Sequence, residues 1–356
     1  MAFFDTAERY GSNLKTAFGM GWGETEKLTR HLLEQSSCKT SQTNADVVGE
    51  TNAAAAATAI IATKFTPSPW RTSVQSVVDA CEDSRRRLGV DQIDLYQLHM
   101  PDIVQPFNRL VPGSTKQKDE IYWQGLVECH KRGLVKNVGV CNYGPTLLRK
   151  CQDALAAKGV PLVSNQIAYS LLGRHNGAQE TLDYCNESGI KVLAFFPFAM
   201  GLLTGKYGGA RDDYDEIGSR GGTKRDKDPL IQPINNSLLT SKKTSLEARE
   251  LQGYANRIAP ILRVMEGIAA QREKTVSQVA LNYIICKGAI PIPGARTRRQ
   301  LLDNMGSSAG GWRLSETEIA MLEQASDELG FGFDGAGFKR ASEKFVGYGM
   351  EKWTLS

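Results

Sequence analysis

No run of apolar residues in this chain reaches the roughly 18 that a membrane-crossing helix needs, so no membrane partner is expected. The opening MAFFDTAERYG has neither the basic nor the apolar stretch of a signal peptide, and the sequence as given is expected in the cytoplasm. Regular cysteine spacing is lacking too. The seven cysteines (Cys38, Cys81, Cys129, Cys141, Cys151, Cys185, Cys286) are odd in number, far apart and include no CxxC. They argue against a disulfide framework and a zinc site, and for a reducing compartment. Long runs of one charge sign are also missing: Lys and Arg are scattered and the net charge is only +4 over 356 residues. Nucleic acid is therefore not expected as a partner. Two Gly-rich stretches fall short of nucleotide motifs. GMGWGE has Glu24 where GxGxxG needs its third glycine, and GLLTGKY is one residue too short for a P-loop, with Tyr207 where Ser or Thr should stand.

What is present is the composition of a globular protein, 41% hydrophobic and 23% charged. The pattern alternates short apolar runs with amphipathic segments. FFDTA opens the chain, then a helix is expected over about Glu24 to Gln35. Residues 36–58, Ser, Thr, Asn and Ala with five alanines at Ala53 to Ala57, show no apolar face and read as an inserted loop. AIIATKF (Ala59 to Phe65), IDLYQLH (Ile93 to His99), VKNVGVCN (Val135 to Asn142), VSNQIAY (Val163 to Tyr169), IKVLAFF (Ile190 to Phe196) and AIPI (Ala289 to Ile292) read as strands. Helices are expected within Thr72 to Leu88, over Glu120 to Lys131, from Pro145 with Gly159 as C-terminal cap, before Gly189, after a Thr275 cap, and over Arg298 to Met305. Ser315 and Glu318 form a capping box ahead of a last helix. Strand and helix in alternation imply a parallel α/β sheet. Seven strands are readable, one fewer than a closed (β/α)8 barrel, and a doubly wound sheet is the other architecture of this class.

Asp5, Lys64 and His99 each fall at the C-terminal tip of a different expected strand, with Tyr10 one loop beyond the first. In a barrel such tips converge on one mouth. A phenol titrating near ~10 is a poor acid at neutral pH, but an ammonium beside it stabilises the phenolate. Lys64 is placed to supply that charge, Asp5 to pair with Lys64, and a neutral His99 to hydrogen-bond a carbonyl oxygen. The chemistry such a set favours is carbonyl reduction with Tyr10 as general acid. Taken singly, each has a plainer explanation: a turn-forming Asp, a solvated Lys, a satisfied strand-end His.

FDTAERYG resembles the FDTAxxYG motif of the aldo-keto reductase family, and IATKF, DLYQLH, VGVCNYG, SNQIAYSLL, FFPFAMGLLTGKY and IPIPGARTRRQLLDN resemble its later motifs in the same order. The resemblance covers roughly Phe3 to Glu323. It implies a (β/α)8 TIM barrel, NADPH as cofactor, a small-molecule carbonyl substrate, and Asp5, Tyr10, Lys64 and His99 as a catalytic tetrad. It further implies that Asn142 and Gln166 hold the nicotinamide carboxamide, that Cys141 replaces the usual Ser there, and that Phe195 stacks on the nicotinamide. Phe196 replaces another usual Ser. Gly201, Leu202, Thr204 and Lys206 fit the pyrophosphate loop, and Gly294, Arg296, Thr297, Gln300, Asp303 and Asn304 the adenosine end. Arg296, Arg298 and Arg299 at a helix start suit a 2′-phosphate, so NADPH is expected over NADH.

Members of that family usually carry a hairpin, a first strand and a first helix before the FDTA motif, so the expected fold is the barrel with its first unit absent. The barrel domain is set at residues 1–327, with insertions at 36–58 and 207–252 and a tail at 328–356. A lost N-terminus would have room for a transit peptide, and the pattern is similar to plastid members of plants and algae, which makes a plastid the alternative compartment. Two rival functions stand beside the reductase: a cofactor-binding regulatory subunit with little turnover, and an inactive truncated homologue. Oligomeric state has no recognisable pattern.

Overall fold

The computed structural model describes residues 2–10, 22–42, 59–68, 70–102, 118–175, 177–205 and 257–329. Seven strands follow one another across a sheet in the order of the chain: β1 (Ala2–Asp5), β2 (Ala59–Phe65), β3 (Ile93–Leu98), β4 (Val135–Cys141), β5 (Leu162–Ala168), β6 (Lys191–Phe195) and β7 (Ile290–Pro291). β1 to β5 pair in parallel, with Asp5 opposite Ala62, Lys64 opposite Gln97 and Cys141 opposite Gln166. Parallel neighbours need a crossover of a dozen residues or more, which the intervening helices supply. Both faces of such strands are covered, so their apolar runs are nearly continuous. The architecture is α/β of the TIM-barrel type with seven strands in place, the parallel α/β sheet that the pattern predicts in the form that the family resemblance implies.

The described residues fall into two compact units. One takes those up to Ile167 together with His175–Leu193, the other Ala168–Arg174 and those from Ala194 on. In the first unit, α1 (Glu24–Gln42), α2 (Val74–Leu88), α3 (Asp119–Lys131), α4 (Pro145–Ala156) and α5 (Ala178–Glu187) alternate with the strands. α2 starts at Ser73, whose hydroxyl accepts from Ser76 N, and stops at Gly89 in the left-handed region, φ 68°. It buries Val77, Val78, Cys81 and Leu88, each apolar side chain contributing on the order of 1.5–3 kcal/mol. α3 answers with buried Tyr122, Trp123, Leu126 and Val127. The two helices approach closely because Gly125 has no side chain: a Cβ there would lie 2.5 Å from Val77 Cβ.

Two expectations are corrected in this unit. α1 runs seven residues into the stretch read as a loop, to Gln42, since residues 36–42 contain neither Gly nor Pro and Ser and Thr cost a helix only tenths of a kcal/mol each. The cap of α4 is Ala157, with Gly159 (φ 74°) two residues further on. The remainder of the 36–58 insertion, the 207–252 insertion and the tail from Gly330 lie outside the described residues.

The second unit holds α6 (Ala259–Arg272), α7 (Val276–Cys286), α8 (Arg298–Met305) and α9 (Glu316–Asp327). α6 was not anticipated, although its buried Ile261, Leu262, Met265, Ile268 and Ala269 follow helical spacing and Pro260 sits in its first turn. Thr275 caps α7 and Ser315 forms its capping box with Glu318 at α9, as expected, and Thr275 is joined in a second capping box by Gln278. Arg272 grips Glu318 through two hydrogen bonds of 2.8 and 2.7 Å, tying α6 to α9. Those bonds hold the Glu318 carboxyl at about 2, below the ordinary glutamate value. Within this unit Ile292 N donates to Ala194 O at 3.0 Å. No helix among the described residues is long and apolar enough to cross a membrane.

Candidate active site

The first unit brings Asp5, Tyr10, Lys64 and His99 together. Side chains alternate along β2, so buried Thr63 donates to Glu26 Oε1 of α1 (2.6 Å) while buried Lys64 points to the opposite face. Lys64 Nζ has three protons and three partners: Asp5 Oδ2 at 2.7 Å, Thr6 O at 2.8 Å and Tyr10 Oη at 2.9 Å. The ammonium also stands 4.4 Å from the Tyr10 ring centre. A turn closed by Tyr10 N on Ala7 O (3.1 Å) carries the phenol back over β2. His99 continues β3 by donating its N–H to Phe65 O at 2.8 Å, and its ring meets the Tyr10 ring edge-on, centroids 5.6 Å apart.

The charges have definite directions. Burial alone would lower Lys64, but Tyr10 and Asp5 outweigh it, and the ammonium is held above its ordinary pKa. Tyr10 is raised, chiefly by burial; Lys64 pulls it down without reversing the shift. Lys64 is the partner expected from the sequence and pulls in the expected direction, and burial outweighs it. The phenol therefore keeps its proton at neutral pH. His99 is only partly exposed, and desolvation, with Lys64 and Arg9 adding to it, pushes it well below 6.5, so the imidazole is neutral.

Around this cluster stand the amides. Asp5 Oδ1 accepts from Gln166 Nε2 at 3.0 Å and from Gln97 Nε2 at 3.5 Å. Asn142 sits at φ 62°, its N–H donating to Gln166 O at 2.8 Å and its Nδ2 to His99 O at 3.3 Å. Left-handed backbone is tolerated by Asn far better than by a branched residue, and it turns this side chain back over β4. Cys141 Sγ lies 3.9 Å from Gln97 Oε1, and burial raises the thiol, so it stays protonated.

The other expected binding residues lie in the second unit. Phe195 ends β6; Phe196 follows at φ 53°, and the two rings pack at 5.0 Å. Gly201 (φ 97°), buried Leu202 and Thr204, whose hydroxyl donates to Gly201 O at 2.7 Å, lie in a short segment, Ala199–Thr204, of two 3₁₀ turns kinked at Met200 and Gly201. Lys206 is outside the described residues. Gly294 is open, with nothing within 4 Å of where a Cβ would stand. Thr297 caps α8 by accepting from Gln300 N (3.2 Å), and Gln300 Oε1 accepts from Arg296 N (2.8 Å). Asp303 accepts from Thr275 Oγ1 at 3.0 Å, and Asn304 O receives Ser307 N at 3.1 Å, so both have structural duties. Arg296 and Arg298 are exposed and without an acidic partner among the described residues.

Several residues of the site were not singled out from the sequence. Glu8 is buried and binds Arg71 at 2.5 and 3.1 Å. Arg71 lies between the Trp22 and Phe65 rings, at 4.7 and 4.8 Å. Asp119 joins two loops, accepting from Asp102 N (3.2 Å) and Tyr143 Oη (2.6 Å). Glu8 stands inside the FDTAERYG motif; the others are single polar residues whose partners are distant in sequence, and no local signal marks them.

A family model for the aldo/keto reductase family matches residues 1–327. The chain belongs to the aldo/keto reductase family. It is thus an oxidoreductase of an NADP(H)-dependent family, as its motifs implied. It is 34% identical over 326 residues to the chloroplastic pyridoxal reductase of Arabidopsis thaliana, covering 91% of this chain and 73% of that protein. An uncharacterized oxidoreductase of Mycobacterium tuberculosis is 29% identical over 69% of this chain, which spans 60% of that relative's length. Among solved structures, a glycerol dehydrogenase from Gluconobacter oxydans superposes with a TM-score of 0.59 at 21% identity, over 93% of this chain and 82% of that one. A Bombyx mori aldo-keto reductase in complex with NADP gives 0.55 at 20% identity, over 91% and 78%. At such identities these likenesses establish the fold alone.

Each unit of this aldo/keto reductase holds groups that suit part of a dinucleotide. In the first, Asn142 and Gln166 offer amides beside the Lys64 cluster; in the second, Arg296 and Arg298 at the capped start of α8 have no acidic partner among the described residues, the charge pattern a phosphate requires.

Proposed function

We propose that this chain reduces aldehydes or ketones to alcohols with NADPH as reductant and Tyr10 as general acid. The observation that carries the reading is the position of Lys64 Nζ, 2.9 Å from Tyr10 Oη and 2.7 Å from Asp5. NADPH bound here supplies the hydride taken up by the carbonyl carbon. The protein must supply the proton taken up by the oxygen and stabilise the charge that develops there. Tyr10 holds its proton at neutral pH and gives it up at Oη; Lys64 stabilises the phenolate left behind, and Asp5 keeps Lys64 charged and in place. Neutral His99 donates to the carbonyl oxygen and orients it. Asn142 and Gln166, with Cys141 beside them, hold the nicotinamide end. Phe195 is assigned to stack on the nicotinamide, Phe196, Gly201, Leu202, Thr204 and Lys206 to the pyrophosphate stretch, and Gly294, Arg296, Thr297, Gln300, Asp303 and Asn304 to the adenosine end. Arg296 and Arg298 favour the 2′-phosphate.

Pyridoxal is the first carbonyl compound to try, given the likeness to a pyridoxal reductase. The same likeness to a chloroplastic protein favours a plastid over the cytoplasm. The barrel domain is assigned to residues 1–327, where the family match also ends. The decisive measurement is NADPH consumption with pyridoxal and a panel of simple aldehydes and ketones. Tyr10→Phe is expected to cut kcat at least about 100-fold, the usual weight of a positioned proton donor. Unchanged turnover in that variant would sink the assignment.

A further inference from the structure

His99 is neutral and so carries a single N–H, and the reaction proposed above needs that proton on the nitrogen that meets the substrate. Its Nδ1 lies 3.4 Å from the hydroxyl of Thr66. Thr66 is buried, and among the described residues Nδ1 is the only partner of its Oγ1. If Nδ1 held the proton and donated it, the threonine hydrogen would be left buried and unpaired, at a cost of about 1–3 kcal/mol. The hydroxyl therefore donates to Nδ1, and the imidazole proton resides on Nε2.

The threonine is itself held at both ends of its peptide unit. Glu8 Oε1 accepts its N–H at 2.6 Å, and Arg71 donates to its carbonyl at 2.9 Å. Glu8 and Arg71 are paired with each other at 2.5 Å, and Arg71 is sandwiched between Trp22 and Phe65. Burial raises the Glu8 carboxyl and Arg71 works against that rise, so the carboxylate depends on its partner. All five groups stand in the same unit as the Lys64 cluster.

We infer that Thr66, clamped by the Glu8–Arg71 pair, is a positioning residue that fixes the Nε2–H tautomer of His99, the form able to donate to a substrate carbonyl. The inference rests on the carbonyl-reductase reading for its consequence, though not for its geometry.

The test is nitrogen-15 NMR of histidine-labelled full chain, with the His99 signals assigned by their loss in His99→Asn, beside steady-state kinetics with an aldehyde. Wild type is expected to show Nε2–H. Thr66→Val, which removes the hydroxyl at nearly constant volume, is expected to lose that preference and to drop kcat about tenfold with KM less affected, the effect of one hydrogen bond. Thr66→Ser keeps the donor and is expected to restore both readouts. An Nδ1–H tautomer in wild type overturns the inference, as does Thr66→Val with tautomer or kcat unchanged. If the valine variant does not fold, the wild-type and serine spectra still decide it. Full turnover in Tyr10→Phe would instead strike at the reductase reading and leave the tautomer result standing.

Discussion

The carboxyl of Asp119 carries the sharpest consequence at the scale of a single residue. Burial raises its pKa to about 6, against the hydrogen bonds from Tyr143 and the Asp102 amide that favour its charge. A carboxyl raised on folding stabilises the native state below its unfolded pKa, and that contribution is lost as pH rises through the folded value. Between about pH 4 and 6 the unfolded chain has released this proton while the folded chain keeps it, so stability falls with rising pH across that window. The whole shift amounts to roughly 3 kcal/mol, of which about 1.4 kcal/mol should fall between pH 5 and 7.5. Asp119→Asn retains an oxygen for Tyr143 and Asp102 without the titration. Urea unfolding of both proteins at the two pH values should show the variant gaining on wild type by about that 1.4 kcal/mol as pH rises; parallel changes would contradict the assignment. The consequence reaches function through geometry, because Asp119 ties the loop after His99 to Tyr143, the neighbour of Asn142.

Between elements, α2 meets α3 closely at Gly125. A helix-interior glycine is worse than alanine by about 1 kcal/mol, so Gly125→Ala would stabilise an isolated α3. In the folded chain the added methyl would lie 2.5 Å from Val77 Cβ, and overpacking of a core costs about 1–3 kcal/mol. Packing should win: chemical denaturation is expected to show a net loss of about 1–2 kcal/mol for Gly125→Ala. Much of that loss should be recovered against a Val77→Ala background, where the space exists. The same balance of local against long-range terms explains what the sequence could reveal. Strands β2 to β6 and the helices α7 and α9 were legible because apolar periodicity and the Thr275 and Ser315 caps act locally. The end of α1 was not, because Ser and Thr are nearly neutral between helix and loop. Within the site, Asp5, Tyr10, Lys64 and His99 were legible as strand-tip polar residues and through ordered motifs. Glu8, Arg71, Thr66 and Asp119 were not, since their meaning lies in partners 17 to 63 residues away.

For the molecule as a whole, the cofactor is the ligand that should register most strongly, because anything that binds only the folded state stabilises it by mass action. At a free NADPH concentration 100 times Kd the gain is about 2.7 kcal/mol, which a thermal shift assay reads directly. Two exposed arginines at the start of α8, without acidic partners among the described residues, leave their charge for a phosphate. A guanidinium pairs with a phosphate by two parallel hydrogen bonds, and helix-terminal amides add to the attraction. NADH has a hydroxyl where NADPH has the 2′-phosphate, so it forgoes both terms. The shift with NADPH should therefore exceed that with NADH at equal concentration and should shrink as salt screens the charges. Arg296→Ala with Arg298→Ala should bring the NADPH shift down to the NADH level while leaving the NADH shift in place, because neither side chain is required by the hydrogen-bonded frame of α8: the helix is capped by Thr297, and Arg296 contributes only its backbone N–H, to Gln300. Equal shifts for the two dinucleotides in wild type would remove the 2′-phosphate site, and loss of the NADH shift in the double variant would place these arginines in general dinucleotide binding instead of phosphate discrimination.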